Sequence, residues 1–107
     1  MDTISLAKNM LTAATGAAMG HAGDLEDYLE ARVKLIADGT AAIAADLLEG
    51  KITNDDAKFA FDEIRESEKT AVLAVEVTSL AAAQDAINAA LAVAAEALST
   101  ATGIVVP

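Results

Sequence analysis

Residues 54–102 contain neither glycine nor proline, and this uninterrupted stretch constrains the fold more than any other feature of the chain. Glycine and proline most often end helices, and alanine, the best helix former, dominates the second half of the stretch. The pattern predicts one helix over about 53–101. At 1.5 Å per residue it would be roughly 70 Å long, whereas a compact domain of this size has a radius of gyration of about 13 Å. We therefore expect either an elongated molecule or a helix that kinks without a sequence signal.

Glycines divide the rest of the chain into two further helices. The first is expected over about 3–19, with Thr3 as its cap and a glycine-flanked hinge near 20–23 after it. The second is expected over about 24–49, with Asp24 as its cap.

The turn near 50–53 has the clearest local signals. Gly50 lies where a helix-ending glycine belongs, and Thr53 and Asp56 have the spacing of a capping box. These residues predict a tight reversal between the second and third helices.

Composition indicates a single all-α domain over residues 1–107. The chain is 54% hydrophobic, but 27 of its residues are Ala and only three are Phe or Tyr, so the apolar fraction overstates the available core. The one proline is the last residue, and no strand pattern is evident.

Two layouts of these helices remain open. In the favoured one, the first and second helices lie end to end along the third, as an elongated antiparallel hairpin with a hinged N-terminal helix. In the other, the first helix folds back across the second as a short three-helix bundle. In either, Gly39 of the second helix is expected to admit a bulky neighbour, Phe61 or Ile64.

The third helix carries two apolar stripes. One has the heptad spacing of a coiled-coil seam and comprises Leu73, Val77, Leu80, Gln84, Ile87, Leu91 and Leu98. The other lies on a different side and includes Val72, Val75 and Val93. A helix that is apolar on several sides is buried on more than one face, which favours a coiled-coil-like bundle formed in a homo-oligomer. The alternative is that the first helix covers the second stripe.

Gln84 is the polar exception in the seam. It either sets register between paired helices, as buried amides do in coiled coils, or lies at a wet edge of the helix. The sequence leaves both interpretations open.

Net charge and residue types disfavour nucleic-acid binding, metal binding and catalysis. The net charge of −10 disfavours binding to nucleic acid, and the chain has no Cys and one His, His21. Glu63 and Glu66 share a helix face with Asp62 adjacent, but a di-iron carboxylate bundle would also need Glu-x-x-His pairs. We therefore predict no catalytic, cofactor or metal site, and no enzyme.

A membrane span is disfavoured as well. Residues 86–106 contain one acid and no base, but Ala dominates them, Asp85 and Glu96 bracket the most apolar window, and no aromatic or basic belt flanks it. The first residues lack the pattern of a signal peptide, so a cytoplasmic location is the default expectation.

Three functional hypotheses follow. The leading one is a non-enzymatic, self-associating structural or interaction protein that forms a homo-oligomeric bundle or a larger assembly. The second is a membrane-active or pore-forming helical component. The third, weaker, is an adaptor or chaperone that binds a helix of a protein partner in an uncovered stripe.

Overall fold

Four α-helices account for nearly all of the chain, and the computed structural model describes all 107 residues. They are α1 (Thr3–Ala18), α2 (Ala22–Leu48), α3 (Asn54–Ala71) and α4 (Val77–Thr102). Short 3₁₀ turns at Met19–His21 and Val72–Ala74 join α1 to α2 and α3 to α4. There are no strands, so the all-α prediction is confirmed.

The turn between α2 and α3 forms as its sequence predicts. Gly50 adopts a left-handed backbone with φ of 74°, which a residue without a Cβ adopts at little cost. The Thr53 hydroxyl accepts a hydrogen bond from the Asp56 N–H at 3.1 Å, and the Asp56 carboxylate accepts one from the Thr53 N–H at 3.0 Å. The capping box is therefore complete.

Two predicted caps are wrong. Asp2, not Thr3, caps α1, because its carboxylate accepts a hydrogen bond from the Ile4 N–H at 2.9 Å. Asp24 does not cap α2, because the 3₁₀ turn leads directly into that helix, which begins at Ala22 without any side-chain cap.

The predicted single helix over 53–101 is also wrong, because the chain breaks it at residues 72–76. After the 3₁₀ turn, Val75 (φ −71°, ψ 145°) and Glu76 (φ −54°, ψ 143°) are extended, and α4 then starts in a new direction. A straight helix of about 70 Å would leave the apolar sides of α4 in water. Folding back buries them, and the longest dimension of the molecule is 44 Å.

The result is a short bundle rather than an elongated hairpin. Helices α1, α2 and α4 pack on one another, while α3 lies against α2 and more weakly against α4. This corresponds to the layout in which the first helix folds back across the second. The break lets α4 return beside α1 and α2, so its apolar sides are covered within the same chain.

Neighbouring residues give the helix directions. Helix α3 runs antiparallel to α2, since Arg32 pairs with Glu68 and Gly39 lies against Ile64. Helices α2 and α4 both start at the same end of the bundle, where Asp24 and Leu25 line a cleft with residues 75–79. They therefore run parallel, and α1 and α3 run the opposite way.

The core contains mostly small and branched side chains. Its largest fully buried members are Phe61, Met10, Leu29, Ile36, Ile87, Leu98, Val33 and Thr40. The prediction for Gly39 is confirmed: a Cβ there would lie 3.0 Å from the Ile64 side chain. The glycine thus lets α3 approach α2 closely.

Candidate self-association surface

The two predicted stripes of the third helix are each divided between the core and the surface. Of the heptad seam, Ile87, Leu91 and Leu98 are buried in the chain's own core and Leu80 is half-buried against it. The other seam members, Leu73, Val77 and Gln84, are exposed. Of the second stripe, Val72 is buried and Val75 and Val93 are half-buried. Within one chain, α1 and α2 both pack on α4. The first helix therefore covers much of the apolar surface that the stripe pattern assigned to a second copy.

The exposed apolar residues of the seam lie at the break between α3 and α4. Leu73 is 62% exposed and Val77 is 88% exposed. Met19, which is 81% exposed, belongs to the turn between α1 and α2 at the same end of the bundle, and that turn contacts α4. We call this end, defined by Met19, Leu73 and Val77, the break end.

Backbone geometry at the break end is poorly supported by local interactions. No side chain caps the N-terminus of α4, where the first N–H groups have no partner within the helix. Met19 has φ of 51°, the only positive value in the chain outside glycine. Such a conformation costs a residue with a Cβ of the order of 1–3 kcal/mol.

Gln84 lies at a wet edge in this structure. It lines an open cleft between the end of α3 and α4, together with Lys69, Asp85 and Asn88. These groups are polar and exposed, so within a single chain Gln84 is not the buried amide that sets register in a coiled coil.

A partly buried ion pair joins α3 to α2. Arg32 donates to both carboxylate oxygens of Glu68, from Nε at 2.8 Å and from Nη2 at 2.5 Å. Glu68 is only 3% exposed, and its hydrogen bonds raise the pKa of Arg32 above the ordinary value. A bidentate pair of this kind fixes the register of two helices as well as their separation.

Tyr28 lies beside this pair with its hydroxyl buried and without a hydrogen-bond partner. Burial raises the pKa of Tyr28, the positive charge of Arg32 opposes that change, and the negative charge of Glu68 adds to it. The phenol is therefore kept neutral.

Other reactive groups do not converge. No cluster of three or more His, Asp or Glu side chains has a geometry suited to a metal ion. His21 is half-buried in the turn between α1 and α2. The remaining exposed large apolar residues are distributed over α1, α2, α3 and the two chain termini: Met1, Ile4, Leu35, Leu48, Phe59 and Val105.

Sequence reasoning missed two features of this region. The break carries no glycine, proline or capping residue, so no local signal marks it. The Arg32–Glu68 pair did have a signal: antiparallel register about Ile52 places Arg32 opposite residue 72, one helical turn from Glu68.

Helix α4 is the one helix long and apolar enough to cross a membrane. Its mean hydropathy reaches 1.3 over an 18-residue window, of which 33% is buried inside the molecule. The core helix of a soluble protein meets the same criteria, so the observation is weak.

Comparison with known proteins adds no functional assignment, since no family model, no curated protein and no solved structure matches the chain.

Proposed function

We propose that the chain is a non-enzymatic, self-associating helical protein whose copies assemble as a homo-oligomer through the break end. One observation carries the proposal: Leu73 and Val77 are the apolar members of the predicted heptad seam that their own chain leaves exposed to water. A second copy would supply the missing cover.

The size of the apolar contribution suits reversible association. Burying a side chain such as Leu or Val stabilises by about 1.5–3 kcal/mol. Two copies burying Met19, Leu73 and Val77 would gain roughly 10 kcal/mol, against an association cost of about 4–15 kcal/mol. Contact through this patch alone therefore favours a weak complex.

Charge opposes association at the break end. Asp24, near the start of α2, and Glu76 line one cleft there, so two copies that meet at this end bring carboxylates near one another. Because each chain carries a net charge of −10, added salt should strengthen association.

Light scattering coupled to size exclusion tests the proposal. The wild-type mass should rise above 10.8 kDa with increasing concentration in the micromolar range. Replacing both apolar residues, Leu73→Gln with Val77→Gln, should weaken association at least about tenfold.

The matched control changes two exposed apolar residues away from the break end, Ile4→Gln with Val105→Gln, and should leave association unchanged. A strict monomer at all these concentrations would contradict the proposal. Equal weakening by both pairs of substitutions would show that general hydrophobicity, not the break end, drives association.

The second candidate, a membrane-active protein, is favoured by the length and apolarity of α4. Dye release from phosphatidylcholine vesicles tests it. Release that Leu91→Lys abolishes, under conditions where the wild-type chain stays monomeric, would favour this candidate over self-association.

A further inference from the structure

We propose that two copies associate by exchanging α4: α3 and α4 join as one continuous helix, and α4 packs on α1 and α2 of a second copy. The inference rests on the proposed self-association and specifies its geometry. The surface it assigns is the groove between α1 and α2, and the partner is α4 of an identical chain.

No glycine, proline or capping side chain holds the break, where a local backbone hydrogen bond runs from the Val75 N–H to the Val72 carbonyl at 3.0 Å. Residues 72–76 include no glycine or proline, and each of them can adopt helical geometry. The first N–H groups of α4 lack a side-chain cap. The Ser79 N–H already donates to the Glu76 carbonyl at 2.9 Å. In a continuous helix the Val77 and Thr78 N–H groups would also gain partners, the carbonyls of residues 73 and 74.

The surface that would receive an exchanged α4 already exists in each chain. Ala83, Ala90 and Leu98 of α4 are completely buried, in a helix that packs on both α1 and α2. The α4 of a second copy presents the same side chains. Exchange of an identical element therefore preserves these contacts without requiring a new interface to be designed.

Helix directions are compatible with the exchange. Within one chain, α4 runs antiparallel to α3. In a twofold dimer with straightened helices, the two continuous helices also run antiparallel, so α4 of one copy passes beside α3 of the other in the orientation seen within one chain. The 26 residues of α4 span about 39 Å, comparable with the 44 Å length of the bundle.

The size of the interface also favours exchange of α4 over a surface contact. The exposed side chains of the break end amount to at most a few hundred Å², below the roughly 800 Å² per partner of a standard stable interface. Exchange adds the whole surface of α4 to the contact between copies. It also brings the straightened segments of both copies together near the twofold axis, where Leu73 and Val77 would be covered.

Proline at the start of a helix distinguishes an exchanged dimer from a surface contact. Val77 is the first residue of α4, and the backbone of Glu76 before it is extended, as proline requires of its predecessor. Val77→Pro is thus compatible with the compact chain. In a continuous helix the same proline would remove a hydrogen bond and clash with the preceding turn.

We expect Val77→Pro to raise the dimer dissociation constant at least about 100-fold, measured by light scattering, while circular dichroism shows an intact monomer. Asn54→Pro is the matched control, because Asn54 is the first residue of α3 in both forms. It should leave the dissociation constant unchanged. Val77→Ala removes most of the side chain without the proline constraint and should weaken the dimer much less than Val77→Pro.

The outcomes separate the two proposals. Equal weakening by Val77→Pro and Val77→Ala would overturn exchange and keep a surface contact at the break end. A Val77→Pro variant that dimerises as wild type does would overturn exchange as well. A wild-type chain that never dimerises would overturn self-association itself.

Discussion

The two connections that flank α3 differ in how far local residues stabilise them. The connection from α2 to α3 has a left-handed glycine, Gly50, followed by a complete capping box between Thr53 and Asp56. The connection from α3 to α4 has a 3₁₀ turn, two extended residues and no cap. Both reverse the chain, yet only the first contains residues that favour a reversal by themselves.

The difference shows that the second reversal depends on tertiary packing. α2 accepts both α3 and α4 as neighbours, and both can lie beside it only if the chain folds back between them. Burial of the apolar sides of α4 outweighs the loss of helical hydrogen bonds at residues 72–76. We therefore expect this connection, and not the capped turn, to open when its packing partners are lost or replaced.

The largest effect is expected from removing the ion pair that fastens α3. Arg32→Leu would leave Glu68 charged, buried and unpaired, and should lower the free energy of unfolding by about 3 kcal/mol in urea titrations. Because α3 would then be held less firmly against α2, it should form one continuous helix with α4 more readily. The folded-back geometry of residues 72–76 would therefore be destabilised.

The double variant Arg32→Leu with Glu68→Leu is the control. Leucine at both positions removes the unpaired charge, so most of the lost stability should return. A loss below about 1 kcal/mol for Arg32→Leu alone would mean that the pair contributes little to holding α3.

A smaller loss of stability is expected from removing the helix cap in the connection between α2 and α3. Thr53→Ala removes a helix cap and should cost about 1 kcal/mol of unfolding free energy. Glu76→Ala, at the equivalent position before α4, removes a side chain that caps nothing and should change that free energy by less than about 0.5 kcal/mol. Similar losses for both substitutions would contradict the view that only one connection is locally determined.

The turn between α1 and α2 provides the smallest test. It is intermediate, since a glycine is present at position 20 while the left-handed backbone falls on Met19. Met19→Gly relieves a strain of about 1–3 kcal/mol and adds chain entropy to the unfolded state worth about 0.5–1 kcal/mol. The difference between these two terms is a net gain of about 0–2.5 kcal/mol, and we expect a value in the lower half of that range, measured by thermal unfolding. A loss of stability would show that this backbone is not strained.

Sequence reasoning predicted the locally determined features of this fold. The helical class, the end of α2 and the turn with its capping box follow from Gly50, Thr53 and Asp56, whose preferences act within a few residues. Antiparallel register predicted that Phe61 or Ile64 lies against Gly39, and the structure has Ile64 there. The break at 72–76 did not follow, because Val, Leu, Ala and Glu tolerate helix there and only burial of α4 against distant residues changes the outcome.

The candidate surface shows the same limit. The heptad correctly marked α4 as apolar on several sides, but the sequence could not show that α1 would cover part of it. Leu73 and Val77 are exposed only because the break places them at the end of the bundle. Their prediction as interface residues stays a prediction, and so does the register role of Gln84.

One distance within a single chain tests the central claim most directly. The chain has no Cys, so spin labels can be attached at Asp62→Cys and Val105→Cys, both exposed sites. In the compact chain these sites are close, because Arg65 near Asp62 donates to the carbonyl of Pro107. Along one straight helix, residues 62 and 102 would be about 60 Å apart.

The labelled chain is diluted into excess unlabelled chain, so that electron–electron double resonance reports distances within one copy. We expect a distance near 60 Å in the dimer fraction and less than half that value in the monomer fraction. A short distance in both fractions would contradict straightening of the break and, with it, the exchange of α4.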